Sequence, residues 1–80
     1  MERLIELLNA IKPEVNFEET RELVDAGILD SIELFEIIVA IEDTFSIRLD
    51  PEQIDPDNFQ SIDSMWNMIM EKTKIENLGE

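Results

Sequence analysis

The sequence predicts an all-α protein, a small irregular four-helix bundle with a long first loop and a short third helix. Apolar residues recur at helical spacing in three stretches, and residues that start or stop helices flank them. A chain of 80 residues allows one small domain, which we place at 1–80. The hydrophobic fraction of 44% favours a globular fold over a disordered chain.

The first helix is predicted over residues 2–12, where four apolar residues share one face: Leu4, Leu7, Leu8 and Ile11. Pro13 ends it, because the residue before a proline is pushed out of the α region. Residues 13–29 have no long periodicity, which predicts a loop with a short helical turn near Thr20–Asp25 and Gly27 in a turn. Three apolar residues are expected to fix this loop to the core: Phe17, Leu23 and Val24.

The second helix, predicted over residues 31–45, has the strongest pattern. One arc of about 100° carries its apolar stripe: Leu34, Ile37, Ile38, Ile41 and Phe45. Asp30 and Glu33 have the spacing of a capping box with Asp30 as the cap. Ser31 then lies in the first turn with its hydroxyl exposed, where unpaired N–H groups and the helix dipole favour a bound phosphate.

The opposite side of this helix mixes apolar and acidic residues: Ile32, Phe35, Glu36, Val39, Glu42 and Asp43. A helix that is apolar on two sides is often deeply buried, but burial of several charges is costly. We therefore interpret this side as an exposed docking surface with apolar anchors and an acidic rim.

A further helix start is the segment Asp50–Gln53, which has an aspartate cap, a proline at the first helical position and a glutamine three residues after the cap. Pro56 limits this helix to about one turn. Ser61 caps the last helix, whose apolar positions are Ile62, Met65, Trp66, Ile69 and Met70. From about Lys74 we expect a frayed tail.

The composition excludes several classes of function. Twenty acidic and six basic residues give a net charge of −14, which repels nucleic acid and attracts basic patches on proteins. The absence of cysteine and histidine excludes thiolate metal sites and Ser–His or Cys–His catalysis. No stretch is long enough to span a membrane, and no leader pattern is visible. We expect a cytoplasmic monomer that is not an enzyme and that binds neither metal, membrane nor nucleic acid.

The segment Leu29-Asp30-Ser31-Ile32 resembles the attachment motif of the acyl carrier protein family, usually Asp-Ser-Leu, with a conservative isoleucine in the third place. The resemblance covers nearly the whole chain. It includes the order of elements, the long first loop and Ile41-Glu42-Asp43 near the end of the second helix. Residues 52–62 resemble the family's short third helix and the entry to its fourth.

This resemblance implies that a phosphopantetheinyl transferase attaches 4′-phosphopantetheine from coenzyme A to Ser31. It further implies that Asp30 assists the transfer, through magnesium that belongs to the transfer complex. The arm would carry an acyl or aminoacyl group as a thioester to loading and processing enzymes in fatty acid, polyketide or related biosynthesis. Basic patches on these enzymes would dock on one helix face: Ile32, Glu33, Phe35, Glu36, Val39, Glu42 and Asp43.

Several alternatives stay open. The cargo is a fatty acyl group, a polyketide or specialised acyl unit, or an aminoacyl unit such as D-alanine. An acidic adaptor with an unmodified serine is the second hypothesis. A calcium-binding domain is the least favoured, because residues 55–58 lack the glycine and the glutamate of an EF-hand loop. Six residues either line a gap for an acyl chain or, the interpretation we prefer, are plain core: Ile37, Ile38, Ile47, Leu49, Ile54 and Trp66.

Overall fold

Three α-helices and one 3₁₀ helix make up the fold in the computed structural model, which describes the backbone of residues 1–78 and the side chains of residues 1–74. Helix α1 spans Glu2–Ile11, α2 spans Ser31–Phe45, the 3₁₀ helix spans Pro56–Phe59 and α3 spans Ile62–Leu78. Helix α1 packs against α2 and α3, and the 3₁₀ helix packs against α3. The predicted all-α class is confirmed, whereas the count of four α-helices is not.

One hydrophobic core joins all four helices and the first loop. Its largest fully buried side chains are Phe59, Leu4, Leu8, Leu23, Ile37, Ile41, Met65 and Ile69. Phe17 and Leu23 fix the loop to this core as predicted, and Val24 is half-buried against it. No helix in the described part of the chain is long and apolar enough to cross a membrane.

Helices α1 and α2 form where the sequence predicts them. Helix α1 ends at Ile11, one residue before the predicted end, and Lys12 before Pro13 has left the α region with φ −142° and ψ 77°. Helix α2 has the predicted bounds. Three members of its predicted stripe are buried and two, Leu34 and Phe45, are half-buried against the core.

Helix α3 follows Ser61, whose Oγ accepts a hydrogen bond from the backbone N–H of Ser64 at 3.1 Å, as a cap does. The predicted stripe of this helix is partly wrong, because Met70 is exposed and Met68 is buried in its place. The backbone is helical to Leu78, past Lys74, where we predicted that fraying begins. Fraying of residues 79–80 lies outside the described residues and stays a prediction.

The predicted short third α-helix is absent from residues 51–55, where the chain makes only a turn over 51–53. Asp55 is extended, with φ −113° and ψ 135°, because it precedes Pro56. A helix that starts after Asp50 therefore has too few residues to offset the cost of its first turn. Pro56 instead opens the 3₁₀ helix, and Asp55 caps it by accepting the N–H of Asp57 at 2.9 Å.

The first loop is held by a residue far away in sequence. The Gln60 carbonyl accepts the N–H of Leu23 at 2.9 Å, and its side-chain Oε1 accepts the N–H groups of Val24 and Asp25 at 3.1 and 3.2 Å. The predicted helical turn lies at residues 23–27, slightly later than expected. Gly27 adopts a φ of +73° there, which suits a glycine.

Candidate functional site

The first turn of α2 presents a serine to solvent. Ser31 is exposed, and its Oγ makes no hydrogen bond with any described residue. The first N–H groups of a helix have no partner inside it, so they concentrate positive partial charge around this hydroxyl. The 15 residues of α2 supply the aligned peptide dipoles.

Asp30 caps this turn in a complete capping box, as the sequence predicts. Its Oδ1 accepts the N–H of Glu33 at 2.8 Å, and the Glu33 Oε1 accepts the N–H of Asp30 at 3.1 Å. Asp30 therefore makes the cap, and the Ser31 hydroxyl is not needed to cap the helix.

An ion pair that we did not predict, between Lys12 and Glu33, holds the Glu33 side chain of the capping box. The Lys12 Nζ, at the end of α1, lies 2.9 Å from both Glu33 carboxylate oxygens and donates to the Ile28 carbonyl at 2.6 Å. Its hydrogen bond lowers the pKa of the Glu33 carboxyl, and the Asp30 N–H adds to this effect. The same hydrogen bond raises the pKa of Lys12, so both groups are charged at neutral pH.

The predicted apolar anchors of the docking surface project into solvent. Ile32 is 71% exposed, Phe35 66% and Val39 46%, and the side chains of Glu36 and Asp43 are also exposed. A shallow depression of about 300 Å³ lies beside them, and its wall is almost wholly apolar. It is lined by Ile11, Phe35, Glu36, Val39 and Ala40. Helix α1 thus contributes Ile11, which the sequence does not predict as part of this surface.

Two acidic residues of the predicted docking face are engaged within the protein. Glu33 belongs to the capping box, and the Glu42 Oε2 accepts the backbone N–H of Leu49 at 2.9 Å. Glu42 also holds the end of α2, because its carbonyl accepts the N–H groups of Ser46 and Ile47. Both carboxylates are half-buried, so Glu36 and Asp43 are the more accessible charges of this face.

The residues considered for an acyl-chain gap do not form one group. Four are buried in the core: Ile37, Ile38, Ile47 and Leu49. Trp66 is half-buried and meets the Phe45 ring edge-on at a centroid distance of 6.0 Å. Ile54 is 41% exposed, so it does not line the interior with the others. The preferred interpretation as plain core is therefore confirmed for the four buried residues and wrong for Ile54.

Comparison with models of protein families assigns the chain to one family. The family model of the phosphopantetheine attachment site matches residues 2–69. The chain belongs to this family. It is therefore a carrier protein domain of the type that serves as a site of covalent 4′-phosphopantetheine attachment, and such carriers work with phosphopantetheinyl transferases and biosynthetic enzymes. Comparisons with curated proteins and with solved structures gave no significant match.

The residues at the start of α2 fit the phosphate of this group. A phosphodiester on Ser31 would carry negative charge beside the positive end of α2, where such charge is stabilised. The hydroxyl is exposed, and no hydrogen bond within the described residues competes for it. Among the described residues, no group of three or more metal-binding side chains is placed to hold an ion.

Proposed function

We propose that this carrier bears its 4′-phosphopantetheine on Ser31. The observation that carries the proposal is an exposed hydroxyl at the positive end of α2 that makes no hydrogen bond with any described residue, next to a cap that Asp30 already supplies. Loading joins the Ser31 Oγ to the pantetheine phosphorus, releases adenosine 3′,5′-bisphosphate from coenzyme A and transfers the hydroxyl proton to a base of the transferase. The sequence offers no histidine or cysteine for that role, which supports modification by a separate enzyme.

Asp30 has two roles in this proposal. One of its oxygens caps the helix, and its exposed position leaves the carboxylate accessible to a transferase. By family resemblance it assists the transfer through a magnesium ion of the transfer complex. Once attached, the arm supplies the thiol that carries an acyl or aminoacyl group as a thioester. Tethering then raises the local concentration of that group at each partner.

The exposed side of α2 is the proposed docking face for the transferase and for acyl- or aminoacyl-loading and processing enzymes. Apolar contact through Phe35 and Val39 would supply affinity, and Glu36 and Asp43 would attract basic patches. Exposure of these side chains supports this role. We place the protein, as a monomer, in the cytoplasm and in fatty acid, polyketide or related biosynthesis.

Intact-mass spectrometry after incubation with coenzyme A and a broad-specificity transferase tests the attachment site. We expect a single phosphopantetheine mass gain in the wild type and none in Ser31→Ala, with equal helix content by circular dichroism. Ser46→Ala, which changes the exposed serine after α2, is the matched control and should load normally. Loading of Ser31→Ala would move the site elsewhere. No loading of the wild type by several transferases would favour the unmodified adaptor.

Charge reversal tests the docking face. The double variant Glu36→Lys with Asp43→Lys should lower transferase kcat/KM, and the loss should shrink as salt rises, because screening weakens the attraction in the wild type. Glu52→Lys with Glu71→Lys makes the same change in net charge at exposed positions outside α2. Equal losses in both double variants would reduce the effect to net charge and contradict a specific face.

A further inference from the structure

We propose that Lys12 is a positioning residue for loading, because it fixes the backbone that presents Ser31 to the transferase. This inference rests on the proposed attachment at Ser31. Lys12 belongs neither to the attachment motif nor to the docking face, and it follows the last residue of α1. Its role comes from what its ammonium group contacts.

One ammonium group holds two points on the segment before Ser31. The Lys12 Nζ donates to the Ile28 carbonyl at 2.6 Å and to the Glu33 Oε1 at 2.9 Å. That same Oε1 accepts the N–H of Asp30 at 3.1 Å. The backbone is therefore fixed at residue 28 directly and at residue 30 through the Glu33 carboxylate.

The residue between these two points is held as well. Leu29 is buried, and its N–H donates to the Leu23 carbonyl at 3.0 Å. Consecutive backbone groups at 28, 29 and 30 thus each have a fixed partner, and the next residue is Ser31. Rotation of the peptide units before this serine requires that one of these contacts break.

The Lys12–Glu33 contact is sheltered enough to persist while a basic partner approaches. The side chains of Lys12 and Glu33 are 19% and 24% exposed, so solvent screens them less than it screens a surface pair. A partner that attracts the acidic face of α2 also attracts Glu33, and Lys12 already satisfies that carboxylate. The capping box is therefore expected to survive docking with Ser31 in place.

Transferase kinetics on three forms of the full chain test this inference: wild type, Lys12→Met and Lys72→Met. Methionine keeps most of the aliphatic length and removes the ammonium. Lys72 is the matched control, because its side chain is 12% exposed and its Nζ lies 3.1 Å from an Asp50 oxygen, outside the attachment segment. We expect Lys12→Met to lower kcat by about tenfold with KM changed by less than about twofold, as misplacement of a reacting group does.

Amide hydrogen exchange gives a second readout that does not need loading. In Lys12→Met the amides of Leu29 and Asp30 should exchange faster than in the wild type, while the buried turns of α3 keep their rates. Lys72→Met should leave the two amides and kcat unchanged. If Lys12→Met fails to fold, Glu33→Gln replaces it, because this variant keeps an acceptor for the Asp30 N–H and weakens the bond to Lys12.

The outcomes separate this inference from the assignment of Ser31. A wild-type kcat in Lys12→Met, or an equal loss in Lys72→Met, overturns the role of Lys12 and leaves the attachment site intact. A wild type that is not loaded at all overturns the attachment site, and with it the role of Lys12 in transfer. A selective loss of kcat with faster local exchange supports both.

Discussion

The segments Asp30–Glu33 and Asp50–Gln53 carry the same start pattern, and their first hydrogen bonds are alike. The Glu33 Oε1 accepts the Asp30 N–H at 3.1 Å, and the Gln53 Oε1 accepts the Asp50 N–H at 2.8 Å. The other half of the box differs. The Asp30 carboxylate accepts the N–H of Glu33 at 2.8 Å, whereas an Asp50 oxygen accepts Lys72 Nζ at 3.1 Å. Only the first segment begins an α-helix.

The residues that follow each start account for this difference. After Asp30 the chain continues for 15 helical residues with a buried apolar stripe. After Asp50 only four residues precede Asp55, which Pro56 forces into an extended conformation. A first helical turn is costly, and further turns or buried side chains must offset it. A cap therefore sets where a helix starts, while length and packing decide whether it forms.

Two isoleucine truncations should show the largest contrast between the segments. Ile37→Ala removes a fully buried side chain of α2 and should cost about 2–5 kcal/mol of unfolding free energy. Ile54→Ala, after the second start, removes a side chain that is 41% exposed and should cost within about 0.5 kcal/mol. Urea denaturation of both variants measures the difference. Similar losses would mean that burial is not what separates the two segments.

Removal of the two aspartates should give a smaller contrast. Asp30→Ala deletes a helix cap and should cost about 0.5–2 kcal/mol. Asp50→Ala deletes a hydrogen bond to Lys72 on an exposed carboxylate and should cost about 0–1 kcal/mol. Asp30→Asn is the control for charge, because asparagine also caps helices and should keep most of the stability. Equal losses for the two alanine variants would contradict the distinction between a helix cap and an ion pair whose carboxylate is exposed.

The contrast also explains which features the sequence predicts. The bounds of α2, its capping box and its exposed apolar side follow from short-range spacing, which the chain satisfies locally. The turn at 51–53 was harder to anticipate, because the aspartate cap and Pro51 favour a helix that Pro56 then prevents. Where a helix start and a proline compete in this way, the free-energy cost of the first helical turn determines the outcome, and the start motif gives no information on that cost.

Contacts between residues that are distant in sequence have no such short-range pattern in the sequence. Gln60 holds the N–H groups of Val24 and Asp25, and Lys12 reaches Ile28 and Glu33. Each contact depends on how separate elements pack, so the spacing of residues within one segment does not predict it.

The buried arc of α3 was misassigned for a similar reason. Apolar residues cover much of the surface of this helix, and its neighbours decide that Met68 is buried and Met70 is exposed.

Acid titration of the Glu33 carboxyl, in the first start, should give the smallest effect. Because the pKa of Glu33 is lowered, its contacts add stability above the ordinary pKa of 4.5, and this stability is lost as pH falls through the lowered value. The raised pKa of Lys12 sets the other limit, so the ion pair weakens only as pH rises through a value above 10.5. Gln53, in the corresponding position of the second start, does not titrate.

The side-chain carboxyl carbon of Glu33, followed by NMR, measures this directly. Its midpoint should lie below 4.5 in the wild type and move back towards that value in Lys12→Met, because the first cause of the shift is the hydrogen bond from Lys12. The Asp30 amide should show the same step, and Glu33→Gln should remove it. The Asp50 amide, whose acceptor is uncharged, should show no such step from its acceptor. An unchanged midpoint in Lys12→Met would mean that Lys12 does not act on the capping box.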